Sequence, residues 1–195
     1  MIKRLFDIIV SLIGIVILSP FLILIAFLVM IDSRGGVLYK QVRVGKDMKE
    51  FKLFKFRTMF FDSDKKGLLT VGMRDNRITR MGYYLRKYKL DELPQLFNVL
   101  IGDMSMVGPR PEVAKYVAMY TDEQKKVLSI KPGITDYASI VYSNENEILA
   151  NAENPEDIYI NKIMPSKLKL NLKYIDEMGL GTDLGIILKT IGKIL

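Results

Sequence analysis

The chain has 195 residues, 49% hydrophobic and 26% charged, which suits one compact domain with attachments rather than two full domains. It contains neither histidine nor cysteine, which excludes histidine acid–base chemistry, cysteine nucleophiles, disulfides and His/Cys zinc sites. The formal net charge is +7, and the two basic and two acidic residues of segment 1–32 cancel, so the excess lies in residues 33–195. Such a basic part can face nucleic acid, an anionic membrane or a phosphorylated substrate.

An apolar segment at residues 8–31 is long enough to cross a bilayer, since a helical span needs about 20 residues. Only Ser11, Gly14, Ser19 and Pro20 interrupt it. Pro20 removes a helical hydrogen bond at the midpoint, and the Ser19 hydroxyl can satisfy a freed backbone group. The pattern fits a kinked transmembrane span, a re-entrant helix–break–helix that enters and leaves on one face, and a buried core hairpin. Periodicity does not separate these structures.

A β-hairpin is predicted next. Residues 37–45 have the composition of a strand, Lys46 and Asp47 that of a turn, and residues 50–59 that of a second strand. The charged segment 60–77 predicts a loop.

Helical spacing of apolar residues predicts most of the remaining elements. Two helices are expected at residues 80–88 and 92–101, with Gly102 and Asp103 ending the second. Further helices are expected at 112–128, from Pro155, and at 165–178, with turns at 108–111 and 131–133 and a polar stretch at 143–157.

The tail, residues 183–195, predicts an amphipathic helix with Lys189 and Lys193 opposite the apolar face. Such a helix is suited to lying on a membrane surface, and an ordinary core helix shows the same pattern. The apolar N-terminal segment favours the membrane. We therefore expect an α+β, mostly helical fold with a membrane anchor at 1–32, a cytoplasmic domain at 33–180 and a surface helix at 181–195.

Asp91 and Glu92 are the best candidates for chemistry, because they form an acidic pair in apolar surroundings just before Pro94. If Pro94 lies in the first turn of a helix, Asp91 falls near the N-cap, where free N–H groups favour an ionised carboxylate and a phosphate. An ionised aspartate beside a phosphate can act as nucleophile when Mg²⁺ screens the repulsion. The same residues are also ordinary helix-capping residues, and both interpretations stay open.

Basic side chains form the second element of a phosphate site. Lys55 and Arg57 alternate on the second strand and share one face, and Arg86 shortly precedes the acidic pair. Arg110 is fixed between two prolines and is suited to bidentate phosphate binding. For each of them a solvated surface charge is the ordinary alternative. Neither a P-loop nor a dinucleotide-binding fingerprint is present.

Taken together, these residues resemble the monotopic phosphoglycosyl transferases, a family of bacterial sugar transferases, over nearly the whole chain. Each matching block is weakly specific, but their shared order is highly specific. The blocks are KRLFD at 3–7, SP at 19–20, KFRTM at 55–59, RITRMG at 77–82, LDELPQ at 90–95, NVL at 98–100, GDMS at 102–105, VGPRP at 107–111 and KPGIT at 131–135.

The resemblance implies a mechanism. Asp91 attacks the β-phosphate of a UDP-sugar, UMP leaves, and polyprenol phosphate then takes the sugar phosphate from the enzyme. Mg²⁺ neutralises phosphate charge and is expected on Asp91 and Glu92, with Glu92 supporting metal binding or acceptor activation. The expected phosphate-binding residues are Arg86, Arg110, Lys55 and Arg57.

The resemblance also implies that the break at Ser19 and Pro20 makes a re-entrant hairpin in one leaflet. Both ends then lie on the cytoplasmic face of the bacterial inner membrane. The expected partners are a UDP-sugar, polyprenol phosphate (undecaprenyl phosphate) and membrane lipid, with a homo-oligomer left open. The alternative is a non-catalytic membrane-bound scaffold for anionic lipid or assembly partners. A nucleic-acid binder ranks last, because aromatic and basic residues are not interleaved as a stacking platform requires.

Three positions in two parts of the chain depart from the family pattern. Asp136 and Tyr137 follow Thr135 where many members have Gly-Trp, and Asn171 stands in place of a family aspartate. Asparagine retains hydrogen bonding but not charge, so we expect the departures to bear on nucleotide or sugar binding.

Overall fold

The computed structural model describes residues 2–61, 63 and 75–194, and most of the predicted 60–77 loop lies outside them. The helices are α1 (Ile2–Asp32), α2 (Arg80–Lys87), α3 (Gln95–Ile101), α4 (Ala114–Val117), α5 (Tyr137–Val141), α6 (Glu145–Ala150), α7 (Pro155–Ile158), α8 (Met164–Asp176) and α9 (Leu180–Ile194). The strands are β1 (Leu38–Val44), β2 (Glu50–Phe56), β3 (Ser105–Val107) and β4 (Gly133–Thr135). The described part is therefore mostly helical with two small two-stranded sheets, which confirms the mostly helical α+β class and adds a sheet to the predicted hairpin.

Helix α1 continues through Pro20, where the sequence predicts a break. Pro20 has no N–H to donate to the carbonyl of Val16, and the Ser19 hydroxyl donates to that carbonyl at 2.8 Å. The side chain thus replaces the lost backbone hydrogen bond. Among the described residues α1 alone is long and apolar enough to cross a bilayer, with a mean hydropathy of 3.0. The expected division into two helices is not seen.

Both ends of α1 are bound to the rest of the protein. Near its start, the Arg4 guanidinium donates to two carbonyls of α3 at 2.6 and 2.8 Å. Asp7 accepts a hydrogen bond from the Met106 N–H at 2.9 Å. At the other end, Asp32 accepts from the Met81 N–H at 3.0 Å. The helix therefore docks along the domain rather than leaving it at one end.

Two hydrophobic clusters carry most of the core. One lies beneath α4, α8 and the π-helical turn Tyr159–Ile163, which joins α7 to α8. The other packs the second half of α1 against Phe56 and Leu85. Partly buried Leu90 and Leu93, which flank the acidic pair, join this second cluster. The turn that carries Asp91 and Glu92 is thereby packed close to α1.

The predicted β-hairpin is confirmed. β1 and β2 pair antiparallel, with Leu38 opposite Phe56 at one end and Val44 opposite Glu50 at the other. A 3₁₀ turn at Lys46–Met48 joins them where the sequence predicts a turn.

A parallel pair of strands, β3 and β4, was missed by the sequence analysis, which predicts only turns beside them. A Cβ on Gly133 would lie 2.0 Å from the backbone nitrogen of Gly108, so two backbones touch where only glycine fits. The Gly133 N–H also donates to the Pro109 carbonyl at 3.0 Å. This contact between the two predicted turns fixes the backbone that carries Arg110.

Helices α2, α8 and α9 lie where the sequence predicts them, and Pro155 begins α7 as expected. The helix expected from residue 92 instead begins at Gln95, because Leu90–Glu92 forms a separate 3₁₀ turn. Helix α6 occupies part of the polar 143–157 stretch, for which no helix before Pro155 was predicted.

The single helix predicted at 112–128 is wrong. It is divided into α4 and a 3₁₀ turn at Gln124–Ser129. The Thr121 N–H donates to the Gln124 side chain at 2.9 Å, and the Gln124 N–H donates to the Thr121 hydroxyl at 3.3 Å. This reciprocal capping box starts a new turn and ends the helical run before it.

Helix α9 combines the two alternatives expected for the tail. Asp183 and Ile186 are buried against the domain, whereas Leu184 and Leu188 are 49% and 68% exposed. Asp183 also accepts a hydrogen bond from the Lys3 ammonium at 2.5 Å, which connects α9 to the start of α1. One edge of α9 therefore packs in the core and the other presents apolar side chains outward.

Candidate active site

The acidic pair lies in the 3₁₀ turn between α2 and α3. Lys89, just before it, has a φ of 56° and turns the chain out of α2. Pro94, not Asp91, is the capping residue of α3. Asp91 is 7% exposed, and its carboxylate accepts no hydrogen bond from any residue that the structure describes. The helix-capping interpretation of Asp91 is therefore wrong.

Glu92 is the centre of a largely buried ion-pair network. Arg110 places Nη1 3.2 Å from Oε2 and Nη2 2.5 Å from Oε1, and the Lys55 ammonium donates to Oε1 at 2.9 Å. Burial alone would raise the pKa of Glu92, but Arg110 and Lys55 hold that pKa well below its usual range. Glu92 is thus ionised, and both of its oxygens are engaged by cations.

Asp91 has a different environment from its neighbour. Burial raises the pKa of the Asp91 carboxyl, while the charges of Lys55 and Arg86 act in the opposite direction. A buried carboxylate without hydrogen bonds is poorly solvated, and its oxygens are free to react or to bind a cation. Within the described part of the chain, the carboxylate of Glu92 is therefore bound by cations, whereas the carboxylate of Asp91 accepts no hydrogen bond.

Arg86 and Arg110 are each held in position. The Arg86 Nε donates to the Thr58 hydroxyl at 3.0 Å, and burial lowers the pKa of its guanidinium. The Arg110 N–H donates to Asp136 Oδ2 at 3.2 Å, while Asp136 Oδ1 accepts the Ser139 N–H at 2.6 Å. Asp136 thus caps α5 and fixes the backbone of Arg110. The sequence analysis missed this role, although aspartate directly before a helix is a recognised capping signal.

Arg57 lies outside this group, and its role in phosphate binding stays a prediction that its observed contacts do not support. Its Nη2 donates to the Val29 and Ser33 carbonyls at 3.2 and 2.7 Å, and its Nη1 donates to the Arg34 carbonyl. These carbonyls lie at and just beyond the C-terminal end of α1, which lacks helical partners. Because β2 ends at Phe56, the alternation that would place Arg57 beside Lys55 does not extend to it.

The expected Mg²⁺ ligands fit in part. Among the described residues, no group of three or more acidic side chains forms a metal site. Both oxygens of Glu92 are bonded to cations, so its predicted role as a metal ligand does not fit this arrangement. Asp91 does fit, because Mg²⁺ is often held by one or two protein carboxylates together with substrate phosphates.

Comparison with known proteins matches the whole sequence, residues 1–195, to the family described as bacterial sugar transferase. The chain is 36% identical over 197 residues to the UDP-N-acetylgalactosamine-undecaprenyl-phosphate N-acetylgalactosaminephosphotransferase of Aeromonas hydrophila, covering 100% of this chain and 44% of that protein. It is 38% identical over 194 residues to the UDP-glucose:undecaprenyl-phosphate glucose-1-phosphate transferase of Klebsiella pneumoniae. This match covers 98% of this chain and 39% of that protein.

A third relative, the sugar transferase EpsL of Bacillus subtilis, is 36% identical over 193 residues, covering 99% of this chain and 87% of that protein. The chain thus spans less than half the length of the Aeromonas and Klebsiella proteins and most of EpsL. The match over the full length leads to one conclusion: the chain belongs to the bacterial sugar transferase family.

Proposed function

We propose that this protein transfers a sugar 1-phosphate from a UDP-sugar to polyprenol phosphate through a covalent intermediate on Asp91, with release of UMP. The observation that carries the proposal is the buried, free carboxylate of Asp91 in the field of Lys55 and Arg86. Family membership supports it, and two relatives are named as transferases that act on undecaprenyl phosphate.

In the first step, a carboxylate oxygen of Asp91 attacks the β-phosphorus of the UDP-sugar. The bond from that phosphorus to the oxygen bridging the two phosphates breaks, and UMP leaves with this oxygen. Lys55 and Arg86 are the cations that act on Asp91 and would offset the negative charge of the diphosphate. Arg110 is one-third exposed while bound to Glu92, so it can also face a phosphate.

In the second step, an oxygen of polyprenol phosphate attacks the same phosphorus, and the bond to Asp91 breaks. The product is a polyprenyl-diphosphate-linked sugar, and the free carboxylate is restored. Asp91 would hold Mg²⁺, and the ion would supply positive charge that neutralises the phosphates. Glu92 holds Lys55 and Arg110 in place throughout, as its three short contacts indicate.

The acceptor lipid has a suitable place beside this site. An open apolar groove of about 310 Å³ lies between α1, the start of β1 and α3. Its wall includes Phe56 and Phe97, and Pro94 connects it to the turn that carries Asp91. An isoprenyl chain in this groove would bring its phosphate to the carboxylate from the side of α1.

The docking of α1 supports a one-sided membrane attachment. A straight helix of this length measures about 46 Å, more than the hydrocarbon thickness of about 30 Å. Yet Lys3 contacts Asp183 at one end, and Asp32 contacts Met81 at the other, within one domain. A transmembrane span would separate these ends by a bilayer. We therefore propose that α1 enters one leaflet only and that the domain lies on the cytoplasmic face.

The proposed activity is tested by UMP release from purified protein in detergent or nanodiscs, with Mg²⁺, undecaprenyl phosphate and a panel of UDP-sugars. We expect release with at least one donor, together with a lipid-linked sugar diphosphate by mass spectrometry. Omitting the lipid should limit UMP to about one equivalent per enzyme, because the intermediate then accumulates. Release of no UMP from any donor would favour the membrane-bound scaffold instead.

The orientation of α1 is tested by labelling, which is simple because the sequence contains no cysteine. Single cysteines at Ile2 and Ser33 should both react with a membrane-impermeant maleimide in inverted inner-membrane vesicles. In intact spheroplasts both should be protected. Reaction of the two positions from opposite sides would establish a transmembrane span and contradict one-sided attachment.

A further inference from the structure

A second, smaller cavity has Arg110 in its lining. The end of β1, the segment 109–112, the π-helical turn Tyr159–Ile163 and α8 enclose it. Its volume of about 30 Å³ has room for roughly two water-sized groups. Because Arg110 lines this cavity and also binds Glu92, one side chain connects it to the proposed phosphate site.

Two buried acceptors at this cavity have no hydrogen-bond partner among the residues that the structure describes. They are Oδ1 of Asn171, a residue only 4% exposed, and Oε2 of Glu112. The other Glu112 oxygen accepts from Arg43 at 3.2 Å, and burial together with the nearby Glu112 carboxylate raises the pKa of the Tyr159 hydroxyl, which lines the same cavity. Buried acceptors are normally satisfied, so Asn171 Oδ1 in particular indicates a missing donor, such as water or a ligand, whereas Tyr159 is a neighbouring donor for Glu112.

The residues that line the cavity determine which kind of ligand can bind there. A phosphate is excluded, because it would meet the Glu112 carboxylate and the Asn171 oxygen, which are both acceptors. A neutral group with O–H or N–H donors satisfies both. The cations Arg110 and Lys167 line the same cavity, and Lys167 is already paired with Glu145 at 2.8 Å. A neutral polyhydroxyl group attached to a phosphate at Arg110 matches this arrangement.

We propose that the cavity is the subsite for hydroxyl or acetamido groups of the sugar transferred from the UDP-sugar, recognised by Asn171 and Glu112. The inference rests on the proposed function, since Arg110 must hold the neighbouring phosphate. The cavity is too small for a hexose ring, so the ring lies at its mouth and its substituents enter. Asn171 then contributes to the choice of sugar.

The test compares Asn171→Leu and Glu112→Gln with the wild-type protein in the UMP-release assay. Each variant should raise KM for the preferred UDP-sugar by about tenfold and reduce its preference over an epimeric donor. The inhibition constant of UMP, which lacks the sugar, should remain within about twofold. Asn151→Leu and Glu156→Gln, at exposed positions, serve as matched controls and should leave both constants unchanged.

Three outcomes would overturn the assignment. Unchanged KM and donor preference would show that the acceptors do not contact the donor. Equal weakening of UMP and UDP-sugar would assign the cavity to ribose hydroxyls instead. A wild-type protein that releases no UMP from any donor would remove the proposed function and this subsite together. If the Asn171→Leu variant lacks the wild-type melting transition, it is not correctly folded. The test of the proposed subsite then depends on the isosteric Glu112→Gln variant alone.

Discussion

Replacing Asp91 by asparagine will abolish UMP release from the UDP-sugar. The amide retains the shape of the side chain but cannot form the bond to phosphorus, and loss of a nucleophile lowers kcat by about 10⁴-fold or more. The readout is UMP formation under saturating donor and Mg²⁺. Intact-mass analysis should show the added sugar phosphate on the wild-type chain and none on the variant.

This substitution should not unfold the protein. Because burial raises the pKa of Asp91, the ionised carboxylate opposes folding at neutral pH, and the neutral amide removes that penalty. We therefore expect an equal or higher Tm at pH 7. The gain should vanish near pH 3, where Asp91 is protonated in both folded and unfolded chains. Asp122→Asn, at a fully exposed position, is the matched control. Full activity in Asp91→Asn would contradict the nucleophile assignment.

Replacing Glu92 by glutamine will lower both stability and activity without changing the Mg²⁺ requirement. Breaking a buried ion pair costs about 3–5 kcal/mol. Glutamine keeps one oxygen that can accept a hydrogen bond, and water can reach the one-third exposed side chain of Arg110. Because both effects reduce the cost of the substitution, we expect a loss of about 2 kcal/mol in unfolding free energy. Activity should fall about 10- to 100-fold, because Lys55 and Arg110 lose their fixed positions. Denaturant titration and UMP release measure the two effects.

The Mg²⁺ titration separates positioning from metal binding. If Glu92 holds the two cations, the Mg²⁺ concentration for half-maximal activity stays the same in the variant. A large increase in that concentration would identify Glu92 as a metal ligand and contradict its assignment as a positioning residue. Glu156→Gln, which alters an exposed pair with Lys115, should change stability by less than about 0.5 kcal/mol.

Local sequence patterns predicted the hairpin and α2, α8 and α9, because hydrophobic spacing and turn residues determine such elements. The same patterns identified Asp91 and Glu92 as a candidate acidic pair, but they could not show that the two carboxylates have different environments. This difference depends on Arg110 and Lys55, which contact Glu92 and lie 18 and 37 positions away from it in sequence. Long-range contacts of this kind leave no periodic signal.

Two other differences between the predicted and the observed structure have equally specific causes. Strand alternation placed Arg57 beside Lys55, but β2 ends at Phe56 and the side chain turns to the end of α1. The three-residue strands β3 and β4 are too short to show a period. Their pairing depends on the contact between Gly108 and Gly133, which no local pattern reveals.

The docking of α1 at both ends has a consequence for where the reaction takes place. An anchor joined to its domain by a free linker would allow Asp91 to move towards and away from the lipid. Here Arg4 and Asp32 attach opposite ends of the anchor to the domain that carries this carboxylate. If α1 enters one leaflet as proposed, the fold therefore fixes the height of Asp91 above the membrane. A soluble nucleotide-sugar and a lipid phosphate would then meet only at that level.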